Sequence, residues 1–547
     1  MQLLESYFDL RSSLNLGNSI VNFVHMSAGR NFINQLFDRA KNVSDVFTVK
    51  HVRAVKWQER TLRKMLFKAR NTAFGREFGF EDLLLESNPM AAFRAKVPIV
   101  NYEGMRPWWQ RQYQGESDIT WPGSPKYFAL SSGTTAGSSK YIPVGDDQLK
   151  AIKKAGLRQL FGIAKTDIPK DFFTKHYLMI GGSTDLQYNG FNYSGDLSGI
   201  TMDNVPFWMD RFTKPTDEIK REKDWHSKIE IMVKEAPNWD VSMIAGGPAW
   251  VKMLLEKVIA HYGLNNIHEI WPHFSVYSWG AVSLSPYKDQ IDSMLGKPIM
   301  YFETYLASEG FIAYQNRLNA DGMTLALRNM MFFEFIPFDE HHFSDTGEPL
   351  DPHFALGIAD VEEGKDYAIV ITTCGGAWRY LIGDTVRFVN LDACEIKITG
   401  RTKQFLSICG EHLSVDNMND GVLTTAHDLG FHCPEYTVKG YKNAAGVMSH
   451  RWFLSCDNDE LLSKHSEVAT ALDAKLSELN DDYATERKHV LTNMHLHLFP
   501  ESVFYDFMDR RGKLGGQAKF PRVMPDAMFA EWIQFLDETQ PGWGGMD

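Results

Sequence analysis

Residues 131–137 read Ser-Ser-Gly-Thr-Thr-Ala-Gly, a run of hydroxyl and small side chains in one tight stretch. Such a turn lets backbone N–H groups and hydroxyls converge on a phosphate. It is no Walker A loop: Gly133 and Gly137 are spaced wrongly, and an extended segment follows where a helix is required. By composition alone it also suits the tip of a β-hairpin. A second group, Tyr305-Leu306-Ala307-Ser308-Glu309-Gly310, closes a predicted central strand, the place where open α/β sheets bind ligands. There Tyr305 can stack on a purine, Ser308 adds a hydroxyl, and Glu309 can hold a Mg²⁺ ion that neutralises polyphosphate. The plainer alternative for Glu309 is a cap or a solvated acid. Asp384 ends another strand in Tyr380-Leu381-Ile382-Gly383-Asp384 and can accept both hydroxyls of a ribose, or simply close a turn. Near the C-terminus, Lys519 in GGQAKFPR can reach a phosphate if the segment moves, although most such lysines are merely solvated.

The elements that must position these groups alternate between strand and helix. KYFAL (126–130) leads into the hydroxyl-rich turn and KYIPV (140–144) leaves it. A helix follows, capped by Asp146 or Asp147, with Leu149, Ile152, Gly156, Leu160 and Ile163 on one face. The strand VSMIA (241–245), a Gly-Gly-Pro break and a helix with Val251, Leu254, Leu255, Val258 and Ile259 form one βα unit. FSVYSWG (274–280), a helix opened by Ser285 and Pro286, and IMYFETYLAS (299–308) repeat it. Two further strands, DYAIVITT (366–373) and YLIGDTVRFV (380–389), lead to a polar segment, LDACEIKITGRTK (391–403), read as a hinge. The expected fold is α/β: a large N-terminal domain, 1–398, with mainly parallel sheets covered by helices, and a smaller mobile α+β domain, 399–547. In the latter, EYTVKGY, RWFLSC and MHLHLF surround a helix with Val468, Leu472, Leu476 and Leu479 aligned.

Bulk properties exclude several classes. The chain has 547 residues, 44% hydrophobic and 23% charged, and its net charge is −12. That balance confines disorder to short ends and loops and gives neither nucleic acid nor an anionic membrane an electrostatic footprint, so anions must be bound locally. Five cysteines with no C-x-x-C pair suit a reducing cytosol. Glu5 and Asp9 stand where a secretory signal needs a basic start, and no stretch nears the roughly 18 apolar residues of a spanning helix. A cytoplasmic monomer is expected. H-E-x-x-H, G-x-S-x-G and G-x-G-x-x-G are absent, which disfavours zinc hydrolases, serine hydrolases and Rossmann enzymes. Phe207, Trp208, Trp250 and Trp279 offer aromatic surface for an acid pocket, or core.

In order and spacing, SSGTTAG, YLASEG, YLIGD and QAKFPR resemble the successive motifs of the Gretchen Hagen three family of acyl-acid amido synthetases, within the firefly-luciferase superfamily of adenylate-forming enzymes. The resemblance runs through VPIVNYEGMRPWWQRQ, GGPAW, SPYKDQI, FFEFIPF and GRTKQFLSICGEHLS, covering residue 60 or so to the end. Leu306, Leu381, His412, Gly516 and Ala518 depart from the plant pattern and point to the bacterial branch. The resemblance implies that Ser131, Ser132, Gly133, Thr134 and Thr135 line the phosphates of ATP, and that Tyr305 contacts adenine with Ser308 nearby. It further implies that Glu309 binds Mg²⁺ and Asp384 holds the ribose, with Arg401 and the catalytic Lys519 supplied by the mobile half. The implied substrates are a small carboxylic acid, activated as an acyl-adenylate, and an amino acid that captures the acyl group. The alternatives are a thioester-forming ligase using coenzyme A and a non-catalytic nucleotide-binding protein.

Overall fold

The computed structural model describes residues 51–543 except 132–139, 170, 345–346, 404–405, 407, 409–410, 412, 443–447, 490 and 513–519. Strands β1 (Tyr127–Ser131) and β2 (Lys140–Val144) pair antiparallel with Ser131 opposite Lys140, in a small sheet ordered β2-β1-β5-β4 with β4 (Gln187–Tyr188) and β5 (Tyr193–Gly195). An eleven-stranded sheet dominates the molecule. One half holds β3 (His176–Met179), β6 (Thr213–Lys214), β7 (Val241–Gly246), β8 (Val276–Gly280) and β9 (Met300–Ala307), all parallel, in the order β9-β8-β7-β3-β6. The other holds β10 (Gly310–Tyr314), β11 (Met323–Leu325), β12 (Met331–Pro337), β13 (Asp366–Thr373), β14 (Tyr380–Asn390) and β15 (Glu395–Arg401), antiparallel, in the order β12-β13-β14-β15-β11-β10.

The split follows from connection length. Helices Pro248–Tyr262 and Ser285–Ser293 provide the crossovers that parallel strands require. Only Ser308 and Glu309 lie between β9 and β10, too few for a crossover, so there the chain doubles back. The strand–helix alternation therefore accounts for the parallel half, and the α/β architecture is mixed within one sheet. Two caps differ from the sequence reading. Gly145 caps the helix Asp146–Ile163, leaving Asp146 and Asp147 in its first turn, where acids favour the helix dipole. Leu284 caps Ser285–Ser293, with Ser285 already helical. The buried face of Asp146–Ile163 includes Leu149, Ile152, Ala155 and Ile163, while Gly156 and Leu160 are only half-buried.

Most of the segment 391–403, expected as a hinge, is strand: β15 occupies Glu395–Arg401, between β14 and β11. Its Glu-Ile-Lys-Ile-Thr-Gly-Arg run buries Ile396 and exposes Lys397, a strand alternation hidden by polar neighbours. Beyond it the chain forms a separate sheet, β16 (Tyr436–Lys442), β17 (Met448–Ser455) and β18 (Leu491–Phe499), ordered β16-β17-β18. The helix His465–Leu479 buries Val468, Leu472 and Leu476 against it, with Leu479 left exposed at its end. Helices Glu501–Arg510 and Asp526–Thr539 close a second small core around Phe504, Phe507 and Trp532.

Candidate active site

Asp384 owes its direction to an irregularity in β14. Ala368 pairs with Thr385 but Val370 pairs with Leu381, so the two strands advance unequally and β14 bulges. Gly383 lies inside the bulge at φ 91°, a backbone region that costs glycine little and other residues more. The bent strand brings the Asp384 carboxylate against two donors: Oδ2 accepts from Tyr305 Oη at 2.5 Å, and Oδ1 from Arg401 Nε at 2.7 Å. Tyr305 is on β9, four places from β14 in the sheet order. At about 4.8 Å per strand, a flat sheet holds such residues about 19 Å apart. The sheet therefore curls strongly between β14 and β9, and that curl brings the two strands to one site.

Glu309 arrives through the tight β9–β10 connection. Gly310, at φ 152°, ends the turn, and a Cβ there would lie 2.6 Å from Met331 Cε. The Ser308 carbonyl accepts from Gln148 Nε2 at 2.9 Å, fixing the turn to the helix Asp146–Ile163. Burial pushes the Glu309 carboxyl above the usual carboxylate range, while the Lys140 ammonium and the Tyr380 hydroxyl, which donates to it, pull the other way. Lys140 is itself held below the usual lysine range by burial. Burial, reinforced by the neighbouring carboxylates, raises the Tyr305 and Tyr380 phenols well above their ordinary value. Arg401 is stabilised in its charged form by Asp384. Two acids and two bases thus share a space in which the acids are mostly buried while Lys140 and Arg401 keep a side open to solvent, and charge interactions there are stronger than in bulk water.

Of the residues singled out from the sequence, Tyr305, Ser308, Glu309, Asp384 and Arg401 come together here. Ser131 ends β1 opposite Lys140. Ser132, Gly133, Thr134, Thr135 and Lys519 lie outside the described residues, as do the side chains of Phe207 and Trp208. Arg401 belongs to the large sheet through β15, which corrects its assignment to the mobile half. Tyr305 packs in the main core with its hydroxyl on Asp384, so here it contributes a hydrogen bond rather than an open stacking face. Trp250 is core, 4.4 Å from Trp225 between ring centroids, and Trp279 packs at the edge of the same cluster.

Lys140 and Tyr380 were missed by motif reading. The signal for Lys140 was present, a lysine directly after a hydroxyl-rich turn; for Tyr380 it was only the first position of YLIGD. Neighbouring thiols are not nucleophiles: burial pushes Cys374 up to about 12, so it carries almost no thiolate near neutrality.

Comparison with known proteins decides the relationship. Residues 45–228 match the GH3 family N-terminal domain, 324–401 the GH3 family central domain and 416–527 the GH3 family C-terminal domain. The chain belongs to the GH3 family. This GH3 chain is 23% identical to jasmonoyl–L-amino acid synthetase JAR4 of Nicotiana attenuata, over 88% of its own length and 93% of the relative's. It is 22% identical to indole-3-acetic acid-amido synthetase GH3.2 of Arabidopsis thaliana, over 82% and 98% respectively. Among solved structures it resembles the AtGH3.15 acyl acid amido synthetase in complex with 2,4-DB, with a TM-score of 0.74 at 16% identity over 92% of this chain and 96% of the other. A 2-hydroxyisobutyryl-CoA ligase in the postadenylation state shares the fold more distantly, with a TM-score of 0.58 at 15% identity over 88% and 92%. The GH3 central match ends at Arg401, where β15 ends.

Proposed function

We propose that this GH3 protein is an ATP-dependent acyl-acid amido synthetase. A carboxylic acid attacks the α-phosphorus of ATP, forming an acyl-adenylate and releasing pyrophosphate; an amino acid amine then attacks the activated carbonyl, forming the amide and releasing AMP. The observation that carries the reading is the meeting of Glu309, Asp384 and Arg401 on the curled sheet with Lys140, which comes from the hairpin whose connection is rich in hydroxyls. The amide-forming names of its GH3 relatives support an amino acid as acceptor.

In this mechanism Asp384 exchanges its Tyr305 and Arg401 partners, in part, for the ribose hydroxyls. Lys140 and the turn 131–137 receive the phosphates, and Lys519 offsets the charge that builds as the acid attacks. Among the described residues no group of three or more His, Cys, Asp or Glu side chains could hold a metal ion. Glu309 nevertheless fits Mg²⁺: it is a buried carboxylate whose desolvation an arriving cation would offset, and Mg²⁺ commonly takes one or two carboxylates with phosphate and water. The bound ion would neutralise the triphosphate. We set the domain junction just past Arg401 rather than at 398/399, because β15 runs to that residue, and we assign the enzyme to the cytoplasm as a monomer acting on small molecules. Its net charge of −12 offers nucleic acid no general attraction, and among the described residues no helix is long and apolar enough to cross a membrane.

The test is carboxylate-dependent exchange of labelled pyrophosphate into ATP across an acid panel, then mass spectrometry of products formed with amino acids or coenzyme A. Exchange with an amide product is expected, abolished by Lys519→Ala and by Glu309→Gln. A thioester as the sole product would overturn the amide assignment, and exchange unaffected by either substitution would remove that residue's role.

A further inference from the structure

Where the C-terminal part of the chain meets the large domain, the contact is built from buried polar groups. Tyr287, on helix Ser285–Ser293 and 2% exposed, donates its hydroxyl to Glu435 Oε1 at 2.5 Å. Lys252, on helix Pro248–Tyr262, donates to both oxygens of Glu501, at 3.1 and 2.9 Å. Tyr287 and Lys252 belong to the large domain; Glu435 and Glu501 lie beyond β15. Lost contacts of this kind are costly when they leave a buried charge unpaired.

Here three of the four groups have a second partner on their own side. Glu435 Oε2 accepts from Arg522 Nη1 at 3.0 Å, and Glu501 Oε1 from Tyr505 Oη at 2.8 Å. Lys252 has Glu256, 3.2 Å away and one helical turn along. Only Tyr287 would be left alone, with its hydroxyl released to water. The two halves can therefore part without stranding an ion. An apolar contact of equal area would expose hydrophobic surface instead.

Arg522 gives this contact a line to the chemistry. It is the second cation of the QAKFPR motif, three residues after Lys519 in the sequence. Its guanidinium also donates to the carbonyls of Tyr436 and Pro434 and lies 4.3 Å over the Tyr436 ring. One oxygen of Glu435 thus binds the large domain and the other binds the anchor of the motif that bears Lys519.

We propose that Tyr287–Glu435 and Lys252–Glu501 form a releasable latch that holds the C-terminal domain against the large domain. In this scheme Glu435 is a positioning residue that ties Arg522 to the large domain. The proposal rests on the two-step activity above, because a latch matters only if the two steps use different orientations.

The experiment uses the full chain carrying one spin label on each domain, with distances measured by pulsed resonance without ligands, in parallel with both half-reactions. The wild type is expected to give one narrow distance. Tyr287→Phe and Lys252→Met are expected to add a second distance population. They should also shift the ratio of amide formation to pyrophosphate exchange by about 3- to 10-fold, the worth of one hydrogen bond. Lys252→Arg, which keeps the charge, should restore both. A lowered melting temperature with unchanged distances and an unchanged ratio would overturn the latch and leave a merely structural contact. If the wild type exchanges no pyrophosphate with any acid, the two-step reading fails, and the distance measurement still decides whether the contact restrains the domain.

Discussion

Asp384 has both carboxylate oxygens engaged, one by a phenol and one by a guanidinium. Those two contacts are unequal, and the difference sets what substitution should do. A hydrogen bond to a charged group is worth about 1.5–3 kcal/mol; both contacts end on the carboxylate, but only Arg401 brings a charge of its own. Asp384→Asn removes the charge that stabilises Arg401 and would receive the ribose. It should raise the KM for ATP in the exchange assay by about 10- to 100-fold. Tyr305→Phe keeps the carboxylate and its Arg401 partner, and the phenol gives way in part to the ribose hydroxyls, so a smaller rise, of no more than about 10-fold, is expected. Equal effects of the two would mean that the charge of Asp384 is not what holds the nucleotide. Asp384 and Glu309 were legible because each stands beside a glycine in a strand-like run, although Asp384 lies inside β14 at its bulge and not at a strand end as the sequence suggested. Lys140 was not, because its importance depends on Glu309, which is distant in sequence and reaches it only through the turn after β9.

The elements that hold these side chains depend on two buried carboxylates with opposite consequences. Glu334, in the middle of β12, accepts from Arg379 Nε at 3.0 Å and Arg94 Nε at 2.9 Å. Arg379 also donates to the carbonyls of Arg94, Val97 and His353, stapling helix Pro89–Lys96 to the residue before Tyr380. Arg379→Met removes all of this at once. Breaking a buried pair costs about 3–5 kcal/mol, so urea unfolding should show a loss of that size, together with weaker exchange as Tyr380 shifts. This staple explains an acid inside an otherwise apolar FFEFIPF run, which the sequence presents only as an interruption. Glu303 on β9 behaves differently: burial pushes its carboxyl from 4.5 up to about 7, opposed by Lys397. The folded state therefore holds a proton that the unfolded state releases between those values. The stability contributed is complete below pH 4.5 and is lost as pH rises through about 7. Glu303→Gln should flatten that part of the melting-temperature profile and raise the melting temperature above wild type at pH 8. A profile unchanged by the substitution would mean that Glu303 is not the titrating group.

At the scale of the whole molecule, periodicity alone identifies which residues face inward but not which strands become neighbours. The βα units around VSMIA and FSVYSWG could be read because helical crossovers leave one common solution, parallel pairing. The curl of the sheet between β14 and β9 could not, since antiparallel strands can lie flat or curl with the same alternation. EIKITGR was obscured for a related reason: its charges suggest a linker, while its position between β14 and β11 depends on both partners. That position yields a test of where the large domain ends. β15 pairs with β14 from Asp384↔Arg401 to Asn390↔Glu395 and with β11 through Met323↔Ile396. The buried residues of the large-domain cores extend no further than Ile396, and those of the C-terminal cores begin at Leu406. A fragment of residues 1–403 keeps every strand of the large sheet, and the face it newly exposes carries the polar groups of Tyr287 and Lys252. It should remain in solution and unfold in one cooperative calorimetric transition. A fragment of residues 1–394 loses β15 from between two partners and uncovers Val386 and Phe388, so it should aggregate or melt without a sharp transition. If the shorter fragment melted as sharply as the longer one, β15 would not belong to the large domain, and the junction would return to the polar segment before it.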